Sequence, residues 1–157
     1  MPARQRTHLH RLSNVWVSNP TYFLTVCVAG RRELLARTEM AEMLIRSWCV
    51  SPDYHGWHVG RYVIMPDHVH FFARPRPDAK ALSDFMRDWK KWTTREATSI
   101  IPIQGPLWQR EFFDHLLRST SSYSAKWDYV YENPVRAGLS PLAELWPYSG
   151  ECEFLTY

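Results

Sequence analysis

The order of apolar and polar positions divides the chain into sheet-forming and helix-forming segments. Residues 22–28 are an aromatic and β-branched run that stops before Gly30, the length and composition of a buried strand. Between residues 39 and 50, Met40, Met43, Leu44 and Trp48 recur at spacings of three and four, which predicts an amphipathic helix packed on a sheet. Pro52-Asp53 then reads as a turn. Residues 57–65 and 68–74 are two further strands separated only by Pro66-Asp67, so they predict an antiparallel hairpin. After a connector at 75–77, a second helix is predicted over residues 81–99. Leu82, Phe85, Trp89 and Trp92 form its packing stripe, and Arg87, Lys91 and Arg95 form a cationic one. A loop with Pro102, Gly105 and Pro106 leads into a fourth strand at 112–117. Residues 119–122, all Ser or Thr, offer an N-cap for a last helix over 123–133, which Pro134 ends because the residue before proline avoids helical geometry. The tail beyond it is irregular.

This succession of strands and helices predicts an α+β fold, a ferredoxin-like βαββαβ antiparallel sheet with helices on one face and one added C-terminal helix. A chain of 157 residues suits one domain, residues 1–157, with residues 1–18 a flexible basic arm. A hydrophobic fraction of 45% against 22% charged excludes a disordered chain. Cys27, Cys49 and Cys152 are widely spaced and form no CxxC pair, which excludes a disulfide framework or a zinc knuckle and suits a reducing cytoplasm. No apolar run of about 18 residues and no signal-like apolar segment is present, so neither membrane insertion nor export is expected. The net charge of +3 does not announce a nucleic-acid partner, but fifteen Arg stand against four Lys, and Arg forks onto phosphate and stacks on bases better than Lys.

Two groupings carry chemistry. On a strand His68 and His70 point to one face roughly 6.5–7 Å apart, so their imidazoles can converge on one ion while Val69 points into the opposite layer. On the last helix Tyr129 and Asn133, four residues apart, share a face and can serve one site. A phenol of pKa about 10 is a poor nucleophile at neutral pH, and beside a divalent cation that holds a phosphate it can react as the phenolate. Taken singly, Tyr129 also reads as a core aromatic and Asn133 as a helix cap.

Together and in order these pieces resemble a known family. The segments are Tyr62-Val63-Ile64-Met65-Pro66-Asp67-His68-Val69-His70-Phe71; Leu107-Trp108-Gln109-Arg110; Phe113-Asp114-His115-Leu116-Leu117-Arg118; Tyr129-Val130-Tyr131-Glu132-Asn133-Pro134-Val135-Arg136-Ala137-Gly138-Leu139; and Trp146-Pro147-Tyr148-Ser149. They resemble the REP-associated tyrosine transposases, relatives of the IS200/IS605 single-tyrosine HUH transposases. The resemblance implies Tyr129 as nucleophile, His68 and His70 as metal ligands with Asn133 as a third, and Mg²⁺ or Mn²⁺ as cofactor. It implies transesterification on single-stranded DNA through a 5′-phosphotyrosine link, with hairpins of repetitive extragenic palindromes as partners. Asp114 and His115 are expected in a supporting role. Arg87, Lys90, Lys91 and Arg95, with Arg110 and Arg118 nearby, are expected to bind DNA. Tyr131 and Tyr123 are rival nucleophiles. A cytoplasmic, nucleoid-associated monomer is expected, with a homodimer as the other arrangement. The rival readings are a non-catalytic module that binds single-stranded hairpins, and a protein with an adventitious metal.

Overall fold

In the computed structural model, which describes residues 20–155, the elements run β1 (Thr21–Cys27), α1 (Thr38–Cys49), α2 (Ser51–His55), β2 (Trp57–Met65), β3 (His68–Pro75), α3 (Leu82–Thr98), β4 (Phe113–Leu117), α4 (Thr120–Tyr131), α5 (Asn133–Arg136) and β5 (Ser149–Glu151). The basic arm expected at 1–18 lies outside the described residues. One antiparallel sheet forms in the order β4-β1-β3-β2-β5. Its first four strands have the ferredoxin-like order. β5 adds an edge of three residues, Ser149 opposite Val63 and Glu151 opposite Arg61, too short to show as a pattern.

The sheet has two covered faces, and the reason is visible in β3. Alternation sends Val69, Phe71 and Ala73 one way and Phe72 the other, so neither side of the strand is polar throughout. On the first face Leu24, Val26, Ile64, Val69 and Phe71 pack against Met40, Met43, Leu44 and Trp48 of α1 and Phe85, Met86 and Trp89 of α3. The indoles of Trp48, Trp89 and Trp108 stack through this layer at 6.1 and 5.1 Å. Trp89 donates to Ser47 Oγ and Trp108 to Thr93 Oγ1, both at 2.8 Å, so their buried N–H groups are satisfied. On the second face Phe23, Val63, Met65, Phe72 and Leu117 pack against Tyr123 and Val130 of α4. The helices of the βαββαβ core therefore lie on one face as expected, and the added C-terminal helix covers the opposite one.

Local signals adjust the predicted boundaries. Pro52-Asp53 begins a helix, α2, because proline is preorganised for a first turn; Gly56 ends it at φ +76, where a Cβ would lie 2.8 Å from Ala79 Cα. Ser119 caps α4 by accepting from Ser122 N, and the Ser122 hydroxyl reciprocates, so the helix starts three residues earlier than predicted. α4 stops at Tyr131, and Pro134 sits in the first turn of α5 rather than closing α4. Tyr129 and Asn133 consequently belong to different helices.

Candidate active site

The pairing register brings the candidate residues together. Thr25 is opposite His70, Phe23 opposite Phe72, and Cys27 opposite His68; on the other side of β1, Phe113 is opposite Thr25 and His115 opposite Phe23. Directly paired residues share a face. His68, His70, Phe23, Thr25, Phe113 and His115 thus line the face that α4 covers.

Both imidazoles are oriented through Nδ1. His68 Nδ1 is 2.8 Å from Asp67 Oδ1, and His70 Nδ1 is 2.8 Å from Thr25 Oγ1. The two rings lie 4.8 Å apart at 81°. Asp67 is fixed in turn: Arg31 Nε donates to its Oδ2 at 2.8 Å, and its backbone carbonyl accepts from Val28 N at 2.9 Å. Burial pushes the Asp67 carboxyl up, but hydrogen bonds from Arg31 and His68 outweigh this and hold it below the ordinary carboxylate range. His70 stacks on Phe23 at 5.2 Å and 17°. Burial first, then the charges of His68 and Lys126, push its pKa down to about 3, so it is neutral at working pH.

These features suit a divalent cation. An imidazole ligates when neutral, and a carboxylate or hydroxyl on Nδ1 leaves Nε2 as the ligating atom. Among the described residues no third His, Cys, Asp or Glu joins the pair in a metal-holding group. Two nitrogens would leave positions for phosphate oxygens and water.

Tyr129 is 62% exposed, so it is not a core aromatic. The rivals are committed elsewhere: Tyr123 is buried 4.6 Å from the Phe72 ring, and Tyr131 packs on Trp127 at 5.0 Å. Arg136 lies over the Tyr129 ring at 3.9 Å from its centroid, donates to the Tyr129 carbonyl at 2.6 Å and also to Asn133 Oδ1. The amide oxygen expected as a metal ligand is therefore engaged by Arg136. Asp114 and His115 lie on opposite faces, because neighbours on a strand alternate: Asp114, opposite Leu24, points to the α1/α3 side, and His115 shares the histidine face.

Five of the six predicted DNA-binding residues gather at the other side of the β4 edge. An open groove of about 550 Å³ between α3 and the loop entering β4 is lined by Arg87, Lys90, Lys91, Arg95 and Arg110, with Trp108 and Phe112 among its apolar walls. Two members are spoken for. Lys90 turns inward, donating to the carbonyls of Gln109 and Arg110 at 2.8 Å and Glu111 at 3.3 Å, so it organises the loop. Arg87 is held by Asp84 and Asp88. Lys91, Arg95 and Arg110 form no ion pair among the described residues. Arg118 follows β4 at its far end, outside the groove. Gln109 N donates to Cys27 O at 2.8 Å, and Cys27 is opposite His68, so groove and histidine pair open at the same end of the sheet.

The sequence motifs give no role to Lys126, whose Nζ is 5.1 Å from the Phe23 centroid, nor to Thr25 and Asp67, which hold the histidines. Asp67, next to His68 in a tight turn, was readable; the other two meet the site only through strand pairing and helix packing.

A histidine pair on one face of an antiparallel sheet, covered by a helix that exposes one tyrosine, is the layout of the tyrosine transposase class of DNA-processing proteins. The family model for IS200-like transposases matches residues 16–132, most of the chain. This chain belongs to that family. It is 27% identical over 135 residues to the REP-associated tyrosine transposase of Escherichia coli K12, covering 85% of this chain and 78% of that one. Its fold superposes with TM-score 0.70 on a REP-associated tyrosine transposase solved bound to a REP hairpin, at 28% identity, covering 82% of this chain and 74% of that one. A crystal structure from Deinococcus radiodurans shares the fold at TM-score 0.57 and 22% identity, covering 73% and 90%. No helix among the described residues is long and apolar enough to cross a membrane.

Proposed function

We propose that this protein nicks and rejoins single-stranded DNA beside hairpins of repetitive extragenic palindromes, using Tyr129 as nucleophile. The observation that carries the reading is the shared face: two imidazoles tied at Nδ1, and above the same sheet face a helix whose only strongly exposed aromatic is Tyr129. Tyr129 Oη attacks the phosphorus and loses its proton; the bond to the 3′ oxygen breaks, and that oxygen leaves as a hydroxyl after taking up a proton. Attack by a 3′-hydroxyl on the phosphotyrosine reverses the step and joins strands without ATP. A Mg²⁺ or Mn²⁺ ion on the Nε2 atoms of His68 and His70 would neutralise and polarise the phosphodiester. The amide oxygen of Asn133, which accepts from Arg136, would be the third group to hold that ion. His115, on the same face, contacts the backbone near the site. Lys91, Arg95 and Arg110 hold the hairpin's phosphates, and exposed Phe113 offers a surface on which a base can stack. We read the chain as one domain that acts as a monomer at the nucleoid.

The test is to incubate protein, Mn²⁺ and labelled hairpins with their single-stranded flanks, and to look for a covalent adduct on a denaturing gel. Wild type forms it; Tyr129→Phe and His68→Ala do not, while both retain hairpin binding. Tight binding with no adduct or nick for any hairpin or metal replaces this reading with that of a binding module.

A further inference from the structure

Lys126 lies on the sheet face that holds the histidine pair, over the ring that stacks on His70. It is on α4, half-buried, and its Nζ lies 5.1 Å from the centroid of Phe23, the ring that stacks on His70 at 5.2 Å. Its charge reaches His70, where it adds to burial in disfavouring the imidazolium. No carboxylate pairs with it among the described residues, and Asp67, the acid nearest the pair in sequence, is occupied by Arg31 and His68. Residues three apart on a helix are neighbours, so Lys126 and Tyr129 lie along one flank of α4, with Val130 and Tyr123 on the buried side.

A lysine whose charge reaches a metal-ready imidazole repels the cation that imidazole would bind, unless an anion lies between the charges. The anion this reaction brings is a phosphodiester. We propose that Lys126 is a further catalytic residue, whose ammonium contacts a non-bridging oxygen of the phosphate attacked by Tyr129. The assignment rests on the transesterase reading above and adds a protein-borne charge to that site. A Lys supplies a point charge on a flexible stem, able to follow the oxygen as charge builds up during attack.

Two measurements test it. With saturating hairpin and Mn²⁺, Lys126→Gln slows adduct formation on the order of 10–100-fold, the scale of losing one oxyanion donor, while Lys126→Arg keeps most of the rate. Without metal, in EDTA, the salt dependence of binding is compared for hairpins with and without the single-stranded flank. The log–log slope falls by about 0.7 in Lys126→Gln only when the flank is present. A wild-type adduct rate in Lys126→Gln, or equal slopes for both proteins on the flanked hairpin, overturns the assignment. If wild type itself makes no adduct, the transesterase reading fails, and the EDTA slopes alone decide whether Lys126 holds a backbone phosphate.

Discussion

Asp67 and Thr25 do for the two histidines what the histidines cannot do for themselves: each occupies one Nδ1 and so leaves Nε2 as the nitrogen available to a cation. Removing the Asp67 carboxylate should therefore be felt as lost affinity. Asp67→Ala is expected to weaken Mn²⁺ binding by about 10–100-fold in a calorimetric titration, with the sheet intact by circular dichroism. His70 also sets a pH dependence. Its pKa falls from 6.5 in the unfolded chain to about 3 in the fold. Below pH 6.5 the unfolded chain takes up a proton that the folded one refuses, so stability is full above that pH and is lost as the pH drops towards 3. His70→Gln removes this loss; between pH 7 and pH 4 its urea midpoint is expected to fall less than that of wild type.

At the scale of elements, α4 carries Tyr129, and its two ends are built differently. The N-terminus rests on the reciprocal Ser119–Ser122 bonds, so Ser119→Ala should cost about 1 kcal/mol in urea unfolding. The C-terminus passes through Glu132 into α5, and Arg136 braces that junction by bridging the Tyr129 carbonyl, the Tyr129 ring and the Asn133 side chain. Arg136→Ala is expected to speed amide exchange at Ala137 and Gly138, whose N–H groups close α5, leaving the α3 amides unchanged. The four core strands and the two longer core helices were legible from their runs and stripes of apolar residues; β5 was not, because three residues carry no pattern. The α4/α5 break was not, since proline at the first turn of a new helix and proline after the end of an old one look alike until hydrogen bonds are seen.

At the scale of the molecule, one sheet separates two layers with different tasks. The α1/α3 layer holds the tryptophan stack and carries the cationic groove on its outer edge; the α4 layer holds the histidines and the tyrosine. Loss of an unpaired groove cation should weaken binding of all hairpins similarly and lower the salt slope by about 0.9 for each duplex phosphate contact, which filter binding of Lys91→Ala and Arg95→Ala would measure. Lys90→Ala is expected to act differently: it frees three loop carbonyls, so unfolding stability drops more than the slope does. The salt series distinguishes the two kinds of lysine.

By itself the sequence determined which residue types could do chemistry and most of the frame that holds them. A two-residue period placed His68 and His70 on one face, and the strand and helix succession defined the βαββαβ core. These are properties of neighbours along the chain. What only the tertiary structure decided depends on residues far apart in sequence: that α4 covers the histidine face, that Asp114 turns away from it, that Thr25 meets His70 and Lys126 meets Phe23, and that Lys90 is occupied by the loop entering β4. Cross-strand register and the choice of sheet face follow from how whole apolar surfaces are buried together, and no window of the sequence carries that sum.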